Sequence, residues 1–439
     1  MSNVTVRNNS TTHTAKVNTT FFWTTGQVKE QRQDSIAPQA SLTFPSPTAF
    51  IGSALAIGSE DLSVVVENIN SFADGRYLAA AYPGATQPAL VTYAPLVLKR
   101  WPTLNSNWRQ TTDLFLYNPN PQSASATVTF YDSWTTDSGS YSVNLTIAAN
   151  GRATVAGTQM PTWEASFGAS MASARVSSNQ PLVVTTRNLV GETDGNGVIT
   201  TPYLSGSYLA EGSPATFYYA PIVAREYYGY DSSVQVQNAS SGSTTFRVRF
   251  YPLHSGTASI TQDITLGPYR SANFWRPTGM PTGFFGSATV QALYGGGPLS
   301  VMAQYDRFDT TNNRYGVTQY EGVSSLNAGT GMAHIQKSWP WTYTGIQAQN
   351  RNSNSANIQL HYFDTYGNSA GSSVTKSNVP TNAAVNFWST SGTPPEIPSG
   401  LNGSGISGVS NVALQVNFDR LGDPTYQNKD GMMGYAAVK

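Results

Sequence analysis

One pattern occurs four times along the 439 residues, and it leaves few folds open. A segment of alternating residues ending in Asn recurs as Asn3-Val4-Thr5-Val6-Arg7-Asn8, Asp113-Leu114-Phe115-Leu116-Tyr117-Asn118, Ser233-Val234-Gln235-Val236-Gln237-Asn238 and Gly345-Ile346-Gln347-Ala348-Gln349-Asn350. The four Asn residues lie about 110 to 120 positions apart, the size of one β-sandwich domain. Each copy continues with paired aromatics (Phe21-Phe22, Phe130-Tyr131, Phe250-Tyr251, Tyr362-Phe363). A small-residue segment follows: Gly52-Ser53-Ala54, Ala172-Ser173-Ala174, Gly286-Ser287-Ala288 and Gly403-Ser404-Gly405. A last apolar segment closes each copy, as in Leu62-Ser63-Val64-Val65-Val66 and Leu299-Ser300-Val301-Met302-Ala303. Ordered landmarks at a fixed period mark a repeat architecture.

Within a copy the apolar residues fall at every second position, and helical spacing is essentially missing. Turn residues interrupt the pattern every 8–12 positions, which reads as short antiparallel strands. The expectation is an all-β chain of four tandem antiparallel β-sandwich modules, Ig-like, at 1–72, 93–190, 218–308 and 332–420, with 421–439 as a terminal strand. A module of this size buries enough apolar area to fold without cysteine. The Asn closing the first segment tolerates left-handed backbone and bonds its own turn, so it reads as structural. The links carry Tyr77-Leu78-Ala79-Ala80-Ala81-Tyr82 and Tyr203-Leu204-Ser205-Gly206-Ser207-Tyr208, which alternate like added strands. Modules joined that way would stand in an elongated, semi-rigid row.

The two ends differ from the middle. Copies two and three open with Tyr93-Ala94-Pro95-Leu96-Val97-Leu98-Lys99 and Tyr219-Ala220-Pro221-Ile222-Val223-Ala224-Arg225, and copy four with the looser Ala333-His334-Ile335-Gln336-Lys337. Copy one has no counterpart. The tail, Asp430 to Lys439, aligns either with the link segment after copy one or with the opening segment. Under the second alignment Tyr435, Ala436, Ala437 and Val438 form a donor strand for a neighbouring molecule, with Val4 and Val6 on the acceptor side. An incomplete sandwich invites strand addition. Burying about three apolar side chains in that way contributes on the order of 5–9 kcal/mol before association costs. A head-to-tail contact that does not close generates a filament.

Composition narrows the chemistry. Lys+Arg and Asp+Glu are equal at 24 each, so no basic patch points to nucleic acid. Cysteine is absent, which removes thiolate nucleophiles and sulfur-ligated metals. No apolar run is long enough for a membrane span. His13, His254, His334 and His361 have no metal-ligand spacing and read as exposed strand or turn residues. The carboxylates, among them Glu192, Glu211, Glu321 and Glu396, fall mostly in loops and links rather than as paired acids facing a cleft. Asp194-Gly195-Asn196-Gly197 is a hairpin turn rather than a calcium loop. Neither catalysis nor a cofactor is indicated. Aromatic residues cluster in one equivalent loop: Trp101 and Trp108 in copy two, Tyr227 and Tyr228 in copy three, Trp339 and Trp341 in copy four. They suit packing between modules or, alternatively, stacking on sugar rings.

These residues together resemble the tandem β-sandwich repeats of exported bacterial surface and filament proteins. The likeness is strongest in copy three, at Ala220-Pro221-Ile222-Val223, Val234-Gln235-Val236-Gln237-Asn238 and Pro281-Thr282-Gly283-Phe284-Phe285-Gly286-Ser287-Ala288. The resemblance implies a non-enzymatic structural subunit of an extracellular filament or surface layer, partnered with copies of itself. The other expectation is an adhesin that binds surface glycans through the aromatic loops.

Overall fold

The structure, a computed structural model, describes residues 2–71, 77–85, 87–103, 108–133, 139–165, 168–194, 198–309, 314–324, 331–337, 342–388, 396–408, 411–420 and 432–437. Among them every regular element is a β-strand, apart from one 3-10 turn at Gly157–Gln159. The strands form seven antiparallel sheets, which pair into four sandwich-like modules.

The third module shows the plan. Its first sheet has the order Phe217–Arg225, Phe284–Ala292, Thr244–Pro252, Ile260–Leu266. Its second has Ser271–Trp275, Tyr230–Asn238, Leu299–Asp309, Arg314–Glu321. By position these are the opening, small-residue, aromatic and hairpin strands, then the crossover, Asn, closing and link strands. Val234, Val236, Phe246, Val248, Phe250, Val290 and Val301 point between the sheets and are buried. Period-2 alternation thus places the apolar set on the inner faces. The fourth module repeats both sheets, and the second fuses its small-residue and closing strands into one strand, Ser170–Thr193.

The repeated Asn is a hub in every copy. The Asn238 side-chain amide donates to the carbonyls of Gly242, Leu266 and Gly267 at 2.7, 3.2 and 3.0 Å, while its oxygen accepts from Ser240 N–H at 3.0 Å. Asn8, Asn118 and Asn350 repeat the arrangement, accepting from Ser10, Asn120 and Asn352. Each buried Asn therefore ties two turns that would otherwise leave carbonyls unpaired.

The link segments are strands that complete each second sheet. Tyr77–Pro83 pairs with Leu62–Ser71, Ile199–Leu209 with Ser170–Thr193, Arg314–Glu321 with Leu299–Asp309, and Met432–Ala436 with Val412–Arg420. Each packs against the next, and the fourth packs against the first. The row therefore closes into a ring, which corrects the elongated array expected from the repeats. The reason lies in the junctions. In each module a left-handed turn residue (Gln39, Asn150, Tyr269, Asn382, with φ of 60, 53, 61 and 64°) leads into the crossover strand. The preceding module meets that turn: Ser173, Ser287 and Ser404 hydroxyls donate to the carbonyls of Tyr269, Asn382 and Gln39 at 2.7, 3.1 and 3.2 Å. A heterologous contact repeated with a rotation that closes makes a ring instead of an open filament.

Candidate functional site

The ring is irregular at one place. The first module's second sheet is complete, with Ser41–Pro45, Ser2–Asn8, Leu62–Ser71 and Tyr77–Pro83. Its first sheet has only three strands, Val28–Ile36, Ala15–Trp23 and Gly52–Gly58, where the third and fourth modules have four. Among the described residues nothing pairs with the outer edge of Gly52–Gly58. This strand is half-buried along most of its length, whereas Phe284–Ala292 is buried over seven consecutive residues. A groove of about 1640 Å³ runs beside it. Val4, Phe21, Phe50, Ala54, Val64 and Tyr82 line one wall, and Phe115 and Arg187 of the second module line the other.

In the other modules an opening strand runs here: Ala89–Lys99, Phe217–Arg225 and Gly331–Gln336, each antiparallel to its small-residue strand. Each has a register break at equivalent residues, Pro95-Leu96, Pro221-Ile222 and Ala333-His334. A link-strand tyrosine fills that break. Tyr208 OH accepts from Leu96 N–H at 3.2 Å and donates to Leu96 C=O at 2.8 Å. Tyr320 does the same with Ile222 at 3.2 and 2.6 Å, and Tyr435 with His334 at 3.2 and 2.7 Å. Burial pushes the ionisation of all three phenols well above its ordinary range, so they remain neutral donors.

Two further contacts recur. A hydroxyl at the start of the Asn strand accepts the next free amide: Leu98 N–H to Thr112 at 3.1 Å, Ala224 to Ser232 at 2.8 Å, Gln336 to Thr344 at 3.0 Å. The cationic residue ending the opening strand donates to the carbonyl before a proline, Lys99 to Met160, Arg225 to Met280 and Lys337 to Ile397.

Register locates the counterparts in the first module. Tyr82 stands opposite Val66, which stands opposite Val4. Tyr208, Thr186 and Leu114 form the same row, as do Tyr320, Ala303 and Val234, and Tyr435, Val416 and Ile346. Tyr82 therefore holds the register position of the three backbone-reading tyrosines; its own hydroxyl bonds the Asn68 side chain. Ser2, two residues before Val4, matches Thr112, Ser232 and Thr344. Ser46-Pro47 matches Met160-Pro161, Met280-Pro281 and Ile397-Pro398; Ser46, Met280 and Ile397 stand six residues ahead of the equivalent glycines Gly52, Gly286 and Gly403. Tyr82, Ser2 and Ser46 all line the groove.

The residues singled out from sequence divide as follows. Val4 and Val6 are buried in the first module's core, and Val4 also borders the groove. Tyr435 and Ala436 lie in the link strand of their own module, paired with Val416 and Gln415, and Ala437 is buried beside them. Val438 lies outside the described residues. Trp108 is 9% exposed and stacks on Tyr203 at 4.7 Å, with Tyr315 of the third module at 4.9 Å, so it packs across a junction. Trp101 is half-buried against the second module's core. Tyr227 stacks on Phe285 at 4.6 Å, whereas Tyr228 is 77% exposed. Trp339 and Trp341 lie outside the described residues, as do Gly195 to Gly197 of the Asp-Gly-Asn-Gly turn.

One histidine departs from expectation. His334 is buried, and its ring pairs with Glu67 of the first module, so it is not an exposed strand residue. No sequence-local spacing announces a partner 267 positions away. Among the described residues no group of three or more His, Asp or Glu could hold a metal ion. Sequence reasoning also misses Tyr82, although the tyrosine pairs at equal spacing in three links, Tyr77 and Tyr82, Tyr203 and Tyr208, Tyr315 and Tyr320, are a signal that could reveal it.

No family model matches the chain, and no curated protein sequence does. Among solved structures, the chain is similar to that of Thermotoga maritima 1070, with 14% identity over 26% of this chain and 97% of that one, at a TM-score of 0.22.

Proposed function

We propose that this chain is a non-enzymatic structural subunit that joins a larger protein assembly by accepting an extended strand at its first module. The groove beside Gly52–Gly58 carries this reading. It offers an unpaired strand edge next to an apolar trough, and backbone pairing plus side-chain burial is how sheets add foreign strands. The module-to-module faces are used inside the ring, and Met432–Ala436 serves its own module. The first-module groove is then the contact through which subunits are connected. An extracellular filament or surface layer is the assembly that suits a nearly uncharged chain of Ig-like sandwich repeats.

Electron microscopy of the purified protein, alone and with a substitution that fills the groove, tests the proposal. Fibres or sheets from the parent chain that vanish in Ala54→Arg are expected. Single rings that do not assemble and that bind a glycan array would replace it with the adhesin reading, for which exposed Tyr228 is the starting point.

A further inference from the structure

The opening strands of the second and third modules specify what the first accepts, and the fourth, with Met332-Ala333-His334-Ile335, shows which contacts are independent of sequence. We propose that the first-module groove recognises a seven-residue extended segment from another polypeptide, of the form aromatic-Ala-Pro-(Leu/Ile)-Val-x-(Lys/Arg). The inference rests on the proposed strand-accepting function and adds the partner's chemistry, direction and register.

From its Ala onward, each position of the motif meets a defined feature of the first module. The incoming strand runs antiparallel to Gly52–Gly58, because all three opening strands run so. Its Ala lies opposite Ala54 and its Val opposite Gly52, since Ala220 pairs with Ala288 and Val223 with Gly286 at the matching positions. A small residue is needed opposite Ala54: Ala94 and Ala220 are fully buried opposite Ala174 and Ala288, whereas the larger Met332 of the fourth module faces a glycine, Gly405. Proline supplies the register break. It has no N–H to pair, so the strand loses nothing where the ladder is interrupted.

The aliphatic residue after proline is then out of register with Gly52–Gly58, and its N–H and C=O need another partner. Tyr82 OH supplies both bonds, as Tyr208 does for Leu96 and Tyr320 for Ile222. The phenol reads backbone, so it requires a residue at this point without choosing its side chain; His334 sits at the same place in the fourth module. Two residues on, Ser2 Oγ receives the amide that Thr112, Ser232 and Thr344 receive elsewhere. The terminal Lys or Arg reaches the Ser46 carbonyl, in the role of Lys337 toward Ile397 at 2.8 Å. A second copy of this chain is a source only if it releases one of its opening strands, each of which is paired inside its own ring.

The test uses the full chain and a blocked peptide, acetyl-Tyr-Ala-Pro-Leu-Val-Leu-Lys-amide, with hydrogen exchange and calorimetry as readouts. Saturable one-to-one binding is expected, with slowed exchange along 52–58. Tyr82→Phe, which removes one oxygen and leaves the ring, should weaken binding about ten-fold. The same peptide N-methylated at the leucine that follows its proline should lose a similar factor on the unmodified protein, which keeps the test independent of how any variant folds. Unchanged affinity in both the Tyr82→Phe and the N-methyl experiments, or protection elsewhere, overturns the assignment. Rings that bind the peptide but never assemble retain the motif and remove the assembly function. Fibres that form without peptide and ignore its excess retain assembly and overturn the motif.

Discussion

Glu67 and His334, 267 positions apart, meet side chain to side chain where the fourth module closes on the first. Both are buried. Burial alone pushes the imidazole toward its neutral form, but the Glu67 charge and the hydrogen bonds the ring donates to Glu67 and Asn402 oppose it and carry the His334 pKa above its ordinary value. A histidine whose folded pKa is raised binds its proton more tightly in the folded state. Its contribution to stability is therefore complete below about pH 6.5 and is lost as pH rises through the raised value. The ring should be easier to open above neutrality. Thermal melts from pH 5 to 9 should show a falling midpoint that flattens in Glu67→Gln; identical slopes for both proteins would remove the pair from the closure.

The buried Asp306 carboxyl gives a second pH effect in the third module. Desolvation, opposed by the Gln304 hydrogen bond and helped by the Asp231 charge, pushes its pKa up to about 7. The protonated form is favoured in the fold, so the group contributes stability below the ordinary carboxylate value that is lost as pH rises toward 7. Asp306→Asn mimics that neutral form. It should raise stability at pH 8 by about 1–2 kcal/mol and leave stability near pH 4 unchanged. Urea titrations at the two pH values measure the difference, and a variant destabilised at pH 8 contradicts the assignment.

The Asn hubs should be among the costliest polar residues to replace. Asn238→Ala removes three donated bonds and three accepted ones, from Ser240 N–H, Ser240 Oγ and Thr244 Oγ1, in a buried turn. A loss of about 2–4 kcal/mol follows from leaving those carbonyls unpaired. Asn238→Asp should be no better, since a carboxylate would face the same carbonyl oxygens. Denaturation midpoints for the two variants check this, and an aspartate variant near the parent would show that the turn does not depend on the donors.

These residues also show what could be read in advance. The strands and their fourfold period were legible because inward-facing residues such as Val234, Val236 and Val248 alternate strictly, and burial enforces that alternation. The Asn hub was legible because its partners lie within its own turn and the next. Ring closure was not. It depends on isolated polar contacts such as Arg7 with Ser404 and Ser404 with Gln39, which have no periodicity and join residues nearly the whole chain apart. The tail was ambiguous because link and opening strands both alternate around small residues. What separates them is a single tyrosine, whose role appears only when Tyr435 is seen bonded to His334. The incomplete first module was readable as a missing segment, whereas its wall of Phe115 and Arg187 required the second module to be in place.

The four equivalent tyrosines should separate by stability. Tyr208→Phe leaves Leu96 N–H and C=O without their partner inside the second module, where both are buried. That should cost about 1–3 kcal/mol. Tyr320→Phe should behave alike, through Ile222. Tyr82→Phe removes the same oxygen from a residue facing the groove beside Asn68, with no opening strand to satisfy. Its cost should be the smaller, about 0.5–1 kcal/mol, the net worth of the one side-chain bond to Asn68 with no backbone group left unpaired. Melts of the three variants in isolation give the comparison directly. Because the substitution and the register position are identical, packing differences largely cancel, and the spread reports the backbone bonds. A Tyr82→Phe loss equal to that of Tyr208→Phe would mean that the first module already satisfies its tyrosine from within, leaving no reader for an incoming strand.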